Sequence, residues 1–189
     1  MAPQRSSDSW MWIVVLSATA LVVAMAIAKG RTRGSPVEGK TAPAVSLYLL
    51  DGGKTMQLSE RRGHVVVLDF WATWCQPCKR SMPDLQRIYK DYAGRGVELL
   101  AVNTDDGLGQ NRDPAIREFF LQNHLDMPVA LDDELHTATS AFGVKGFPTL
   151  VVVDRAGSVS FSHEGYPIDE GELRRSLDSA LAQNTAKVQ

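Results

Sequence analysis

Residues 65–79 read VVVLDFWATWCQPCK. The first seven, 65–71, are β-branched or apolar on both faces except for one carboxylate, Asp69. That is the pattern of a central strand buried on both sides. Residues 77–92 follow with Met82, Leu85, Tyr89 and Tyr92 recurring at helical spacing. Pro83 falls inside this helix and is expected to kink it, and Gly94-Arg95-Gly96 ends it. Trp74-Cys75-Gln76-Pro77-Cys78 therefore lies where a buried strand gives way to the N-terminus of a helix.

Cys75 and Cys78 are the two cysteines of the chain. A pair this close is a poor staple, because the loop it closes is too short to restrict the unfolded state much. Its position favours chemistry instead. A cysteine at a helix N-terminus faces unsatisfied backbone N–H groups and the positive end of the macrodipole. Both favour thiolate over thiol, so the Cys75 pKa is expected below the free value of about 8.5. Cys78 comes nearly one turn later and is less exposed. The roles that follow are attack on a disulfide by Cys75 and resolution of the mixed disulfide by Cys78. Zinc needs two further ligands, which His64, His124, His136 and His163 do not offer at short spacing. Covalent haem attachment needs His where Lys79 stands. A thiol-peroxidase pattern aligned on Cys75 would need Pro at Leu68 and Thr or Ser at Ala72. No metal and no cofactor are expected.

The chain has 189 residues with a formal net charge of -2, 44% hydrophobic and 22% charged. Such a composition is globular, neither disordered nor collagenous. The charge balance excludes a generally basic nucleic-acid binder. Two cysteines exclude a disulfide-rich scaffold. The acidic residues Asp105, Asp106, Asp132, Asp133 and Glu134 read as solvated loop and capping charges.

Strands alternate with helices on either side of the opening stretch. Residues 45–50 and 54–58 flank Asp51-Gly52-Gly53, a hairpin signal. Residues 97–103 form a second apolar strand. Asp113 can cap a helix with Pro114 at its first position, ending near Asn123. A short strand is expected over 127–131, a short helix over 134–142, a strand pair over 149–154 and 159–163, and a last helix over 172–182. The fold class is α/β, a mixed central sheet with helices on both faces.

Residues 10–28 carry no charge. A helix of that length spans roughly 28 Å, close to the hydrocarbon core of a bilayer. Trp10 and Trp12 suit the interface. A transmembrane anchor competes with a cleaved signal segment, since Ala24-Met25-Ala26 and Ala26-Ile27-Ala28 resemble cleavage sites, and with a buried globular helix. Lys29, Arg31 and Arg33 follow the segment and Arg5 alone precedes it, a bias that places the C-terminal side in the cytoplasm. The division expected is an N-terminal flank (1–9), an anchor or signal segment (10–28), a Gly-, Pro- and charge-rich linker (29–43), a globular domain (44–183) and a tail (184–189).

The stretch Asp69-Phe70-Trp71-Ala72-Thr73-Trp74-Cys75-Gln76-Pro77-Cys78-Lys79 resembles the active-site segment of the thioredoxin superfamily. It is most similar to the membrane-tethered or exported TlpA/ResA-like disulfide reductases. Arg62-Gly63-His64-Val65 and Gly143-Val144-Lys145-Gly146-Phe147-Pro148-Thr149 extend the match, which covers roughly residues 42–181. The resemblance implies a thioredoxin fold and a cis bond before Pro148, with neighbouring backbone able to pair with an extended substrate. Trp74, Gln76, Pro77, Phe147 and Pro148 are then substrate-contact positions, with Gln76 and Pro77 tuning the redox potential. It also supports a proton-exchange role for Asp69. Burial raises a carboxyl pKa, and a carboxyl poised near neutrality can exchange a proton with Cys78. The other reading of Asp69 is an ion pair with a nearby lysine. Many ResA-like members carry Glu three residues after the second cysteine, where this chain has Ser81.

By the same resemblance the protein is a thiol–disulfide oxidoreductase. It is expected to reduce disulfides in extracytoplasmic protein substrates, including those of cytochrome c maturation. A membrane thiol–disulfide transporter would re-reduce it, and the domain would face the periplasm or its equivalent. This orientation opposes the charge bias at Lys29, Arg31 and Arg33. The alternative is a copper-binding maturation factor of the same fold, since two thiolates suit Cu(I).

Overall fold

The computed structural model describes residues 12–20, 35–106 and 112–183. The chain divides into two units, Met1–Thr32 and Arg33–Gln189. In the first, residues 12–20 are helical, and Trp12, Ile13, Val14, Val15 and Leu16 are exposed. Among the described residues no helix is long and apolar enough to cross a membrane. The uncharged stretch 10–28 runs outside the described residues on both sides, and the tail 184–189 lies outside them too.

The second unit is built on β3 (Val65–Trp71), in which all seven residues are buried. β3 pairs in parallel with β4 (Val97–Asn103), and β4 in parallel with β5 (Val129–Leu131). On the other side β6 (Thr149–Val153) runs antiparallel to β3, and β7 (Val159–Glu164) antiparallel to β6. The hairpin of β1 (Ser46–Leu49) and β2 (Lys54–Gln57) forms as expected, and β1 joins β5 antiparallel. The sheet is seven-stranded and mixed, in the order β2-β1-β5-β4-β3-β6-β7.

Because successive side chains of a strand point to opposite faces, β3 serves two cores. Val65, Val67 and Trp71 pack with Met82 and Leu85 of α1 (Gln76–Tyr92), Phe119 of α2 (Arg112–Gln122) and Leu173 of α4 (Glu170–Ala182). Val66, Leu68 and Phe70 pack with Ala138 of α3 (Thr137–Ala141) and with Phe142. Helices thus cover both faces, three on one and the shortest on the other. Asp69 has the same parity as Val67 and Trp71, so it points toward the α1 side.

Several element boundaries differ from the sequence reading, each for a local reason. α1 runs through Pro83 to Tyr92, as read from the sequence, and differs in that Ile88 is buried while Tyr89 is partly buried. α2 is described over Arg112–Gln122 and contains Asp113 and Pro114. α3 is short because Asp132 and Asp133 take the N–H groups of Thr137, Ala138 and Thr139 at 2.8–2.9 Å. α4 starts at Glu170, with Asp169 as its cap, accepting from Glu172 N–H at 2.8 Å.

The segment read as linker is not free over residues 35–43. Gly39 N–H donates to Val159 O, Ala42 N–H to Gly157 O, and Val159 N–H to Lys40 O, each at 2.8 Å. Val37 and Ala42 pack against the core beneath. Pro and Gly there serve a turn laid along the β7 edge, which composition alone does not distinguish from a spacer.

Candidate active site

The chain leaves β3 at Trp71 and enters α1 within five residues. Cys75 N–H donates to Ala72 O at 3.1 Å, closing a turn that lifts Thr73 and Trp74 out of the sheet. Cys75 is the N-cap of α1, and its Sγ accepts the Cys78 N–H at 3.1 Å. Pro77 follows in the first turn, where its missing N–H costs nothing. Cys75 and Cys78 are joined by a disulfide with their Cα atoms 5.3 Å apart. Cys75 is 3% exposed and Cys78 fully buried. Both are therefore covered in the disulfide form, Cys75 marginally less so.

The other residues singled out from the sequence fall around this pair in two groups. Trp74 is 68% exposed, and Gln76 is exposed beside it. The Trp74 ring meets Phe147 edge-on, with centroids 5.8 Å apart. Phe147 is half-buried and Pro148 buried. The Phe147–Pro148 bond is cis, as the resemblance implies. The Trp74–Phe147 contact ties the segment before β6 to the turn that carries Cys75. A second cis bond, Tyr166–Pro167, has no counterpart in the sequence reading. Gly165, just before it, donates its N–H to Pro148 O at 2.7 Å.

Among the described residues Asp69 forms no ion pair with a lysine. It is fully buried, and neither carboxylate oxygen has a hydrogen-bond partner. Its strand neighbours are Ala101 of β4 and Leu150 of β6. Desolvation raises its pKa from the ordinary 3.8 to about 8. Ser81 is buried in α1, where its hydroxyl donates to Cys78 O at 3.1 Å, a bond that leaves no acid at this position.

Asp105 is a site residue the sequence reading missed. Both of its carboxylate oxygens accept the Thr73 N–H at 3.1 Å. Asn103 Nδ2 donates to the same carboxylate at 3.0 Å, and Asp105 N–H returns a bond to Asn103 Oδ1. Thr104 adds its N–H and its hydroxyl, both donated to Trp71 O. Arg112, 8% exposed, donates from Nη1 to the carbonyls of Asp105 and Asp132. The end of β4 therefore grips the turn that presents Cys75. The available signal was Asn103-Thr104-Asp105, three polar residues directly after an apolar run. Asp132 is likewise not a solvated charge: it is 2% exposed and caps α3.

α1 is held from outside by α4. Arg87 donates to both oxygens of Glu170 at 2.7 Å, and Arg174 joins Glu170 to Asp91. Arg87 first and Arg174 second hold the Glu170 carboxyl at about 2. These pairs are exposed, so they fix direction more than they add stability.

A disulfide closed across the first turn of a helix, at the carboxyl end of a central strand, defines the protein as a thiol–disulfide oxidoreductase of thioredoxin-like α/β fold. Comparison with known proteins gives its family. The family model described as Redoxin matches residues 37–181, and the chain belongs to that family. The thiol-disulfide oxidoreductase ResA of Bacillus thuringiensis (strain Al Hakam) is 36% identical over 121 residues, 64% of this chain and 66% of that protein. The ResA of Geobacillus thermodenitrificans is 36% identical over 141 residues, 75% of this chain and 76% of that protein. Among solved structures, a candidate thiol:disulfide interchange protein DsbE from Chlorobium tepidum matches with a TM-score of 0.66 at 34% identity. That match covers 77% of this chain and 98% of the other. The chain thus spans about two thirds of the length of the Bacillus relative.

Two outcomes follow from this geometry. The Asp69 carboxyl stays protonated in the folded protein up to about pH 8, whereas in the unfolded chain it ionises near 3.8. Between those values the unfolded state binds fewer protons, so stability falls as pH rises and levels off above about 8. The oxidised protein should lose on the order of 2–4 kcal/mol more between pH 5 and pH 8 than Asp69→Asn does. Urea unfolding at the two pH values measures this, and parallel losses would contradict it. Asp105→Ala should cost about 1–3 kcal/mol by leaving the Thr73 N–H without its acceptor. Asp105→Asn should recover part of that, because its amide oxygen still accepts. Equal stability of Asp105→Ala and the parent in urea would refute the grip.

Proposed function

We propose that the protein is a disulfide reductase for protein substrates outside the cytoplasm, with Cys75 as nucleophile, Cys78 as resolving thiol and Asp69 as proton partner. The observation that carries this reading is the N-cap. The Sγ of Cys75 accepts a backbone N–H at the positive end of a seventeen-residue helix, an arrangement that stabilises a thiolate there once the disulfide is opened.

The reaction balances as two exchanges. The Cys75 thiolate attacks one sulfur of a substrate disulfide, forms a mixed disulfide, and expels the other substrate sulfur as a thiolate that takes a proton from water. Cys78 then loses its proton and attacks Cys75 Sγ. The Cys75–Cys78 bond forms, and the second substrate sulfur leaves as a thiolate. Two electrons pass to the substrate, and the protein is left in the disulfide form. Cys78 is buried, so its proton needs a nearby acceptor. Asp69, on the same side of the sheet and fully buried, is suited to it because its pKa of about 8 lies close to that of an ordinary thiol.

Trp74, Gln76, Pro77, Phe147 and Pro148 form the contact surface for the substrate. The reducing direction, a membrane thiol–disulfide transporter as donor, and service to cytochrome c maturation are supported by resemblance to the TlpA/ResA-like reductases. Residues 10–28 tether the domain to the membrane, supported by their uncharged length and the flanking tryptophans. The extracytoplasmic side is favoured over the one suggested by Lys29, Arg31 and Arg33, because charge bias around a single segment is a tendency that other signals override.

Reduced protein should cleave insulin disulfides, and Cys78→Ser should accumulate mixed disulfides through Cys75, visible on non-reducing gels. Asp69→Asn should slow the reaction about tenfold or more near pH 7. Absence of both insulin reduction and trapped adducts would end the enzyme reading, and an unchanged pH–rate profile would remove Asp69 from it. A C-terminal alkaline phosphatase fusion should be active in cells, and a dark fusion would place the domain in the cytoplasm.

A further inference from the structure

The rim of Cys75 combines exposed aromatic surface with free positive charge. Trp74 is 68% exposed and Tyr166 41%, and Phe147 joins Trp74 edge-on. Lys79 and Arg80 directly follow Cys78 in the first turns of α1, and Lys145 stands two residues before Phe147. Arg80 and Lys145 are exposed and Lys79 half-buried. The Arg80 guanidinium lies 5.6 Å over the Tyr166 ring, and Lys79 Nζ 5.6 Å from the Phe119 ring. These aromatic contacts hold the cations in place without neutralising them.

Among the described residues, none of these three cations forms an ion pair with a carboxylate. The next arginine of α1, by contrast, is neutralised: Arg87 holds both Asp84 and Glu170. The acids at the end of β4 are engaged as well. Asp105 is committed to Thr73 and Asn103, and Asp106 pairs with His136 at 2.9 Å. Glu164, which approaches Gly146, has no ion-pair partner among the described residues. A chain of net charge -2 therefore carries local positive charge where its substrate must approach.

We propose that this rim selects its substrates. It favours an extended protein segment in which the disulfide cysteine is flanked by Asp or Glu and has an aromatic or large apolar neighbour. The apolar neighbour lies on Trp74 and Phe147, and the flanking carboxylates meet Arg80 and Lys145. This deepens the disulfide-reductase reading and rests on it. Charges on an exposed rim act mainly on encounter and register, so the selectivity resides in kcat/KM and is sensitive to salt.

Three disulfide-linked peptides of equal length, each with one Phe beside the cysteine and flanked by Asp/Glu, by Ser/Gly or by Lys/Arg, test the proposal with reduced full-length protein. The expected order of kcat/KM is acidic, neutral, basic, with about tenfold between the extremes at 20 mM salt, shrinking to about twofold at 500 mM. Arg80→Glu combined with Lys145→Glu should reverse the order. Equal rates for acidic and basic peptides at low salt, or an order that survives salt and the double variant, would overturn the proposal. Reduction of the neutral peptide without any charge order defeats the rim alone. Failure to reduce any peptide, or insulin, defeats the reductase reading and the rim with it. The salt dependence of the parent protein decides the matter even where the double variant fails to fold.

Discussion

One sulfur atom sets the geometry on which the rest of this structure depends. A helix that begins beside a buried strand must satisfy its first N–H groups, and here Cys75 Sγ takes one of them. A serine or aspartate oxygen would cap more strongly. The use of sulfur places the reactive atom at the positive end of the dipole and brings Cys78, one turn on, within bonding distance. Local folding and redox chemistry therefore share the same contact. A change that improved the cap would remove the sulfur that the proposed function makes the nucleophile.

The cap is useful only if the turn before it is fixed, and β4 does this. β3 and β4 run parallel in register from Val65–Val97 to Trp71–Asn103, so both chains reach the same end of the sheet together. Thr104 bonds Trp71 O, and Asp105 bonds the Thr73 N–H. A parallel pair makes this possible, since an antiparallel neighbour would bring its N-terminal end to the same place. β6 is such a neighbour. Its N-terminal end delivers Phe147 and Pro148 to the opposite flank of Cys75. The site is therefore framed by the outgoing end of one strand and the incoming end of another, with β3 between them.

Much of this was legible in sequence because it is dictated locally. The run 65–71, the helix after it and the two cysteines at their junction follow from periodicity and spacing, and β3 and β4 have the bounds read from them. The placement of Asp69 also followed, because strand parity with Val67 and Trp71 leaves it one face to occupy. What was not legible depends on partners distant in sequence. Asp105 looks like any loop acid until the fold brings Thr73 to it across thirty-two positions. Residues 35–43 look like a spacer until β7 offers Val159 and Gly157 as partners. The extent of the uncharged segment 10–28 as structure lies outside the described residues.

The buried carboxyl of Asp69 is a costly feature of the core. Asp69 sits between Ala101 and Leu150 with neither oxygen bonded, and a carboxylate in such a place is tolerated mainly in its protonated form. That constraint bears on the disulfide state more than on the dithiol state. When a donor thiolate attacks Cys75, the sulfur that leaves is Cys78, and it leaves as a thiolate inside an apolar core. Charge there is expensive, and in the proposed mechanism a neutral Asp69 on the same face passes its proton to that sulfur and takes the charge onto its own carboxyl. On that proposal the carboxylate so formed is the base for the resolving step when the next substrate arrives. By microscopic reversibility the proposed role has one group serve both half-reactions. The burial that weakens the fold at high pH is the same burial that keeps this acid protonated, and hence able to donate, in the oxidised protein.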